Sequence, residues 1–508
     1  MDASEWIYLA EGGKHVVFGY HGNNQTYDCR VLRVVKSFFH VACARGPTGD
    51  MEVEPPTRSA STVFLEKVIQ PLLGPSYSDL PDTVAVTRDF MRQLYQQTID
   101  SGAIPEKRMA NWQIPNDQDD QKPIPPIFFI TMLKDNSKIK SQMANKPLSV
   151  EIKPKAGFVT CSPLVKPKHR IRLKHTKFEI KQQRMKRGSI IAPWIDSGDA
   201  EHEKTRSFYD PVDLFSRQKH RVERSLGELT AYMANNLRFW YEGEMIFGYS
   251  SDGPNNQVSN DVINNIFPTL RDTISSDDIH DLHEFILDTT KPIVSNILVH
   301  DVFLDNLKRA QHLDVISDDG AEEIYKHFVS FFDGSMDDAE AFLDQYVVNF
   351  ESTSPSQTSS VPAIFAHSPY QFPMESSAIT ALCDQIESFR EFTSYDGCQS
   401  QNLLDADIEK LDEAYETAFN LIPQLDKIDC AYLLANWLLS LCTVDISFFV
   451  TLQCLNESES QAIGKNSLNV IDVEDEHGKL KYIYTIKVVD CDPKPARSLS
   501  HRAFGVAK

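Results

Sequence analysis

A pair of glycines near the start of the chain separates two apolar runs. The segment 11–15 reads Glu-Gly-Gly-Lys-His, and Arg33 falls on the third apolar run. Glycines let backbone N–H groups approach phosphate oxygens, and a cation on the next strand neutralises them. The arrangement therefore predicts a clamp for nucleotide phosphates. An ordinary hairpin also explains a lone Gly-Gly pair, because short glycine patterns arise easily by chance.

Two lysines, Lys153 and Lys155, end a later apolar run and open a basic segment. Alternate residues of a strand face the same side, so the sequence predicts that both ammonium groups lie on one face. Residues 151–190 hold twelve Lys and Arg against two Glu, which gives +10 in a chain of net charge −21. Because salt screens charges over about 8 Å, such a patch can attract an anion locally. A solvated face or a nuclear-localisation-like run is the alternative.

Two aspartates accompany late apolar runs. Asp445 stands within the run 443–450, and Asp490 follows the run 482–489. An acid in an apolar strand pays for desolvation unless a metal, a cation or a reacting hydroxyl compensates it. A carboxylate at a strand end also suits Mg²⁺, which binds few carboxylates together with phosphate oxygens. A salt-bridged or turn aspartate would explain each position equally.

Strands and helices of an α+β protein are predicted to position these groups. Apolar runs at 6–9, 16–20 and 27–35 predict a small antiparallel sheet. Helices are expected at 60–73, 87–100 and 213–235, and a hairpin at 237–249 turns at Gly243. Further strands are expected at 126–133, 148–153, 445–455 and 481–489, with helices through 259–349 and 378–441. A boundary between lobes is predicted in the polar stretch 134–146.

Composition limits the classes of function. The net charge of −21 disfavours a general binder of nucleic acid or acidic membrane. Nine cysteines without a C-x-x-C pair indicate reduced thiols in the cytoplasm or nucleus. No membrane span is expected, because the apolar stretch 431–455 contains Asn436 and Asp445 and suggests a buried helix followed by a buried strand. The segment 351–362, rich in Ser, Thr and Pro, is predicted to be a disordered insert.

Seven motifs occur in one order: EGGKHVV, VLRV, EIKPKAGF, YDPVDLFS, NNLRF, TVDIS and VVDCDPKP. They resemble the inositol-pentakisphosphate 2-kinase family, which has E-G-G-x-N-L-V, E-I-K-P-K-C-G-F, Y-D-P-L-D-L-F-S and a late D-L-x-L-K-P. The resemblance spans nearly the whole chain. It implies a two-lobed, kinase-like α+β fold, in which the N-lobe (1–136) has a small antiparallel sheet and helices. The larger C-lobe (137–508) would carry a basic substrate face, a helical accessory block at about 259–440 and catalytic strands at 443–495.

The resemblance also implies roles for individual residues. Nucleotide contacts fall on Gly12, Gly13, Lys14, His15, Arg33 and Arg238, with a hinge at 131–136. Substrate contacts fall on Arg108, Lys153, Lys155, Lys186, Asn235, Asn236 and Lys494. Asp445 would be the catalytic base and a possible second magnesium ligand, and Asp490 the principal magnesium ligand.

The implied reaction uses ATP and Mg²⁺ to phosphorylate the 2-hydroxyl of inositol 1,3,4,5,6-pentakisphosphate, giving inositol hexakisphosphate. A monomer is expected, and nucleic acid is not an expected partner. No structural zinc is expected, because Cys383, Cys398, Cys430 and Cys442 lack the spacing of a zinc cluster.

Two other functions remain open from the sequence. A non-catalytic module could bind phosphoinositide headgroups or nucleic acid through residues 153–187, which would leave Asp445 and Asp490 unexplained. A kinase for a less phosphorylated inositol or for protein is the other, although no H-R-D or D-F-G motif supports a protein kinase.

Overall fold

The computed structural model describes residues 1–11, 15–43, 59–102, 104, 125–137, 145–186, 207–231, 236–250, 253–256, 282–348, 361–393, 408–462, 469–475 and 478–504. Its strands are β1 (Trp6–Glu11), β2 (His15–Tyr20), β3 (Arg30–Val35), β4 (Asp82–Thr87), β5 (Ile127–Lys134), β6 (Leu148–Ile152), β7 (Leu237–Tyr241), β8 (Glu244–Ser250), β9 (Gly253–Asn256), β10 (Ser447–Cys454), β11 (Val470–Asp475) and β12 (Gly478–Val489).

The helices are α1 (Lys36–Cys43), α2 (Ala60–Phe64), α3 (Gln70–Leu73), α4 (Arg88–Asp100), α5 (Lys177–Lys186), α6 (Pro211–Leu214), α7 (Lys219–Ala231), α8 (Leu282–His300), α9 (Phe303–Gln311), α10 (Ser317–Ser330), α11 (Met336–Val348), α12 (Ser377–Phe392), α13 (Ile408–Phe419), α14 (Lys427–Asp445), α15 (Glu457–Ala462) and α16 (Arg497–Phe504). A π-helical turn, Leu65–Ile69, joins α2 to α3. The fold is α+β, as predicted, with two antiparallel sheets.

The first sheet has the strand order β1-β2-β3-β5-β4. Alternation along β2 and β3 buries Val16, Phe18, Leu32 and Val34 against α1 and α4. The strands predicted before residue 36 and at 126–133 are confirmed. Strand β4 was not predicted, because only Val86 of its six residues is buried and an edge strand carries a weak apolar pattern.

The second sheet has the order β11-β12-β10-β6-β7-β8-β9. Strand β10 lies between β6 and β12, and all eight of its residues are buried. The predicted hairpin is confirmed: β7 and β8 turn at Glu242 and Gly243, whose φ angles of 50° and 87° suit a two-residue turn. The helix predicted at 213–235 is instead two helices, α6 and α7, because the chain adopts a left-handed conformation at Arg217 (φ 61°).

The chain passes from the first sheet to the second just after β5. The carbonyl of Asn136 accepts hydrogen bonds from the hydroxyls of Ser149 in β6 and Thr451 in β10, both at 3.3 Å. The two hydroxyls lie 2.8 Å apart. These contacts fix the end of the predicted hinge to the second sheet.

Helix α14 lies in the core and leads directly into β10. Asp426 and Asp429 form a capping box at its start, and fourteen of its nineteen residues are buried. Within the described part of the chain it is the one helix with the length and composition of a membrane span, and 78% of its apolar window is buried in the protein. The predicted buried helix followed by a buried strand is confirmed.

Candidate active site

Asp445 is the last residue of α14, so its predicted place within an apolar strand is wrong. The strand begins at Ser447, and the Asp445 side chain is 50% exposed. A continuous apolar run has no periodicity that separates helix from strand, which explains the error. The carboxylate therefore stands at the junction of a helix and a strand, open to a ligand.

A lysine from the end of the chain pairs with this carboxylate. Nζ of Lys494 donates to Oδ2 of Asp445 at 2.9 Å. Burial alone would raise the pKa of Asp445, but the charges of Lys494, Lys153 and Lys155 and the hydrogen bond from Lys494 lower it. Asp445 is consequently ionised at neutral pH, as a proton acceptor must be.

The lysine pair lies beside Asp445, although not for the reason expected. Strand β6 ends at Ile152, and Lys155 has a left-handed φ of 64°, so strand alternation does not orient the pair. Burial and the neighbouring charge of Lys153 lower the pKa of Lys155 to about 8, and Lys181 and Lys494 add to this effect. Several ammonium groups thus crowd one place, as expected where a polyanion is to be bound.

The loop that carries the lysine pair is held by the segment 207–216. The hydroxyl of Tyr209 donates to the carbonyl of Pro154 at 2.6 Å. A Cβ on Gly157 would lie only 2.2 Å from the ring of Phe215, so this position has no room for a side chain. The motifs EIKPKAGF and YDPVDLFS are therefore in direct contact.

Arg33 reaches across from the first sheet to a residue beyond β12. Its guanidinium makes two hydrogen bonds to the Asp492 carboxylate, one of them 3.0 Å long, and Nδ1 of His15 lies 3.8 Å from the same group. Burial would raise the pKa of Asp492, but the hydrogen bond and charge of Arg33, with a contribution from His15, lower it. Sequence reasoning missed Asp492; its alternation with Asp490 in Asp-Cys-Asp was the available signal.

Asp490 immediately follows β12 and is exposed, with a left-handed φ of 62°. Its carboxylate has no hydrogen bond or ion pair with the residues that the structure describes. The thiol of Cys442 donates to the carbonyl of Asp492 at 3.1 Å. Burial raises the pKa of this thiol to about 12 against the opposing charge of Lys494, and the charges of Asp492, Asp445 and Asp490 add to the rise.

This donor set fits a magnesium ion held by Asp490 together with phosphate oxygens. Oδ2 of Asp445 is already engaged by Lys494. Within the described ranges, no three or more His, Cys, Asp or Glu side chains are grouped so as to hold a metal by themselves.

Arg238 and Asn236 lie beside the lysine pair. Arg238 in β7 faces Glu151 in β6 and pairs with its carboxylate at 3.2 Å, and the Trp240 indole N–H donates to the same group. The Asn236 carbonyl accepts from the N–H of Lys153 at 2.9 Å. Glu151 is a second residue that sequence reasoning missed.

Most bases of the segment 166–177 do not form a free basic patch. They pair with acids of the helical block: Lys166 with Glu322 and Glu323, His169 and Arg172 with Asp319, Lys177 with Asp314 and Asp318, and Arg170 with Asp412. Asp314 and Asp319 are only 2% and 3% exposed. The expectation of an anion-attracting patch is therefore wrong for these residues, because their partners lie between 137 and 242 residues further along the chain.

Several predicted site residues lie outside the described part of the structure. They are Gly12, Gly13, Lys14, Arg108 and Asn235, together with the side chain of Lys186. The predicted insert at 351–362 also falls largely outside it.

Comparison with known proteins gives a consistent result. The family profile described as inositol-pentakisphosphate 2-kinase matches residues 8–503. The chain is similar to inositol-pentakisphosphate 2-kinases of Arabidopsis thaliana (24% identity; 65% of this chain, 71% of the relative) and Danio rerio (26%; 53% and 49%). A Cryptococcus neoformans protein of the same name is 26% identical over 48% of this chain and 52% of its own length. Matches to the fish and fungal relatives thus span about half of their lengths. The chain belongs to the inositol-pentakisphosphate 2-kinase family.

Proposed function

We propose that this protein is an ATP- and Mg²⁺-dependent kinase that phosphorylates the 2-hydroxyl of inositol 1,3,4,5,6-pentakisphosphate. The observation that carries the proposal is the convergence of an ionised carboxylate, Asp445, with Lys153, Lys155 and Lys494. The base and the substrate-phosphate contacts of such a reaction need this proximity. Family membership supports the choice of substrate.

The fold we propose is two-lobed and kinase-like, with the lobes meeting at residues 135–137. The first sheet with α1 and α4, within residues 1–136, forms the smaller lobe. Residues 60–73 of that range depart from the predicted boundary, because Phe64, Val68, Ile69 and Leu73 are buried in the core of the larger lobe. The second sheet and the helical block form the larger lobe, residues 137–508. Arg33 and His15 lie in the first sheet, on one side of this junction, and Asp492 follows β12 on the other side. Their contact across the junction suits a nucleotide site between the lobes.

In the proposed mechanism, Lys153 and Lys155 hold phosphates of the inositol, and this orients its free hydroxyl toward Asp445. The Asp445 carboxylate accepts the hydroxyl proton at Oδ1 or, when Lys494 turns to a substrate phosphate, at Oδ2. Arg33 stabilises charge on the nucleotide. Magnesium held by Asp490 supplies neutralisation of charge on the nucleotide phosphates when bound. Positioning and electrostatics contribute most in such reactions, so no covalent nucleophile is needed.

The cysteines of the described part of the chain are not in disulfides, which supports a reducing compartment, and we therefore propose the cytoplasm or nucleus as the location of the protein. The ion pairs of residues 166–177 weigh against the alternative of a nucleic-acid or headgroup-binding module. Such a module would need those charges free.

The test is incubation of the purified protein with ATP, Mg²⁺ and inositol 1,3,4,5,6-pentakisphosphate, followed by anion-exchange separation and phosphorus NMR of the product. Formation of inositol hexakisphosphate, lost in Asp445→Asn, is the expected result. Absence of this product from folded wild-type protein would overturn the proposal. Equal turnover of inositols with fewer phosphates would overturn the substrate assignment alone.

A further inference from the structure

A glutamine of the helical block joins the two segments that carry the site. Gln311 is the last residue of α9, and its side chain is fully buried. Its amide nitrogen donates to the carbonyls of Lys155 at 3.0 Å and Thr443 at 3.3 Å. Its amide oxygen accepts from the N–H of Gly157 at 2.9 Å. Both polar atoms of this side chain are therefore hydrogen-bonded to backbone groups, which belong to two segments far apart in sequence, 155–157 and the end of α14.

Those backbone groups need an outside partner. Lys155 has a left-handed φ of 64°, a conformation that costs free energy for a residue with a side chain and needs support from its surroundings. Thr443 lies in the last turn of α14, where carbonyls lack partners within the helix. The side-chain amide of Gln311 donates to the carbonyls of both Lys155 and Thr443. It therefore fixes the loop of the lysine pair relative to the end of the helix that carries Asp445.

The main chain of Gln311 is itself held to the same helix. The hydroxyl of Ser440 donates to the carbonyl of Gln311 at 2.7 Å. Leu307 and Ala310, which precede Gln311 in α9, are fully buried in the large core. The glutamine thus extends from a rigid support rather than from a loop.

We propose that Gln311 is a positioning residue that sets the separation between Lys155, which contacts a substrate phosphate, and Asp445, which accepts the proton. This inference rests on the proposed function. Gln311 does not reach the substrate, because its side chain has no exposed surface. A displacement of the two segments by about 1 Å is enough to cost on the order of 100-fold in rate.

The test is steady-state kinetics of Gln311→Met, which keeps the length of the side chain and removes all three hydrogen bonds. We expect KM for inositol pentakisphosphate to rise about tenfold and kcat to fall about 10- to 100-fold, since the substrate moves away from its base. KM for ATP should stay within about twofold. The matched control is Asn436→Leu, which also removes a fully buried side-chain amide. The amide of Asn436 donates to the carbonyl of Tyr432. Asn436 lies about 13 Å before Asp445 along α14, so its loss should not move the site.

A purely structural role would give a different result in the same assay. Loss of folded protein lowers kcat in proportion and leaves both KM values unchanged, as we expect for Asn436→Leu. Such a pattern in Gln311→Met would overturn the proposal. If Gln311→Met does not fold, Ser440→Ala, which loosens only the main chain of Gln311, should raise KM for the inositol about two- to fivefold. An unchanged KM in that variant would then overturn the proposal.

Wild-type protein assayed in parallel separates this inference from the proposed function. Absence of turnover by the wild type contradicts the function itself. Normal turnover by the wild type, with unchanged KM values in the variants, contradicts only the role of Gln311.

Discussion

The hydroxyl of Tyr209 donates to the carbonyl of Pro154, which lies between the two site lysines, at 2.6 Å. Tyr209 is 2% exposed, and burial, together with the charges of Asp210 and Asp213, raises its pKa well above the usual value, so the phenol remains a donor. Asp213 in turn pairs with Arg221 at 2.6 Å and with Arg224. The motif YDPVDLFS therefore stabilises the loop that carries Lys153 and Lys155 through contacts inside the protein, and it need not touch a ligand.

Our first prediction concerns the close contact between Gly157 and Phe215. Gly157→Ala should lower the free energy of unfolding by about 1 to 3 kcal/mol, because the added Cβ would overlap the buried ring. Thermal unfolding measures the effect. Gly227→Ala is the control, since no atom lies within 4 Å of a Cβ there and alanine favours the helix. Equal melting temperatures for both variants would contradict the close packing of Gly157 against Phe215.

A second prediction concerns the pH dependence that Lys155 confers. Its pKa of about 8 is below the ordinary 10.5, so between these values the unfolded chain binds more protons than the folded protein. Stability of the free protein should therefore rise with pH through this window. A bound polyanion favours the charged amine, so affinity for inositol pentakisphosphate should fall as the pH rises above about 8.

Calorimetric titration between pH 7 and 9.5 measures this loss of affinity. Lys155→Arg is the control, because arginine stays charged throughout the range. The fall in affinity should be reduced in that variant, whereas identical pH profiles for wild type and Lys155→Arg would exclude titration of Lys155 as the cause.

The third prediction is that Asp445→Asn lowers kcat about 10²- to 10⁴-fold, the usual contribution of a proton acceptor. Nucleotide affinity should change little, because Asp445 pairs with Lys494 on the side of the predicted substrate contacts. Single-turnover kinetics and ATP titration separate the two effects. A kcat near that of the wild type would show that Asp445 is not the proton acceptor.

The fourth prediction concerns magnesium. Asp490→Asn should raise the Mg²⁺ concentration for half-maximal activity about tenfold, because an amide is a weaker ligand than a carboxylate for this ion. Asparagine tolerates the left-handed conformation at this position, so the backbone should be preserved. Asp333→Asn, at an exposed residue with a similar φ of 53°, is the control. A Mg²⁺ titration that does not distinguish the two variants would refute the assignment.

The fifth prediction concerns the ion pairs between the basic segment and the acids of residues 314–323, in and just before α10. Lys177→Met should cost about 2 to 3 kcal/mol of stability, because it leaves the buried carboxylate of Asp314 without its cation. Lys168→Ala, at an exposed residue, should be within about 0.5 kcal/mol of wild type. Chemical denaturation decides the question, and equal stabilities would show that the bases are interchangeable surface charges.

The sequence predicted the elements whose apolar pattern is strong and local. Strands β1, β2, β3 and β5 of the first sheet, the β7–β8 hairpin and the α14–β10 pair follow from alternation, turn residues and a long apolar run. Strands β4 and β11 were missed, because edge strands bury few side chains. Motif order brought Lys153, Lys155, Asp445 and Lys494 into one site, but their geometry depends on contacts that no local pattern encodes.

Charge counting failed for a related reason. A local sum assigns residues 166–177 to a basic patch, yet Asp314, Asp318 and Asp319 neutralise several of them after the chain folds. Likewise, no spacing rule pairs Arg33 with Asp492, which are 459 residues apart. Tertiary partners of charged residues cannot be read from a window of sequence.

The position of β10 inside the second sheet has a consequence for biosynthesis. All five strands of the first sheet are complete once residue 134 has been made. Strand β6 pairs early with β7 but must wait for β10, its second partner, about 300 residues later. At roughly 5 to 20 residues per second, the ribosome needs on the order of 10 to 40 s between the end of β8 and the start of β10. During that interval the nascent chain presents an unpaired edge on β6, which makes it a candidate client of chaperones that shield exposed strands.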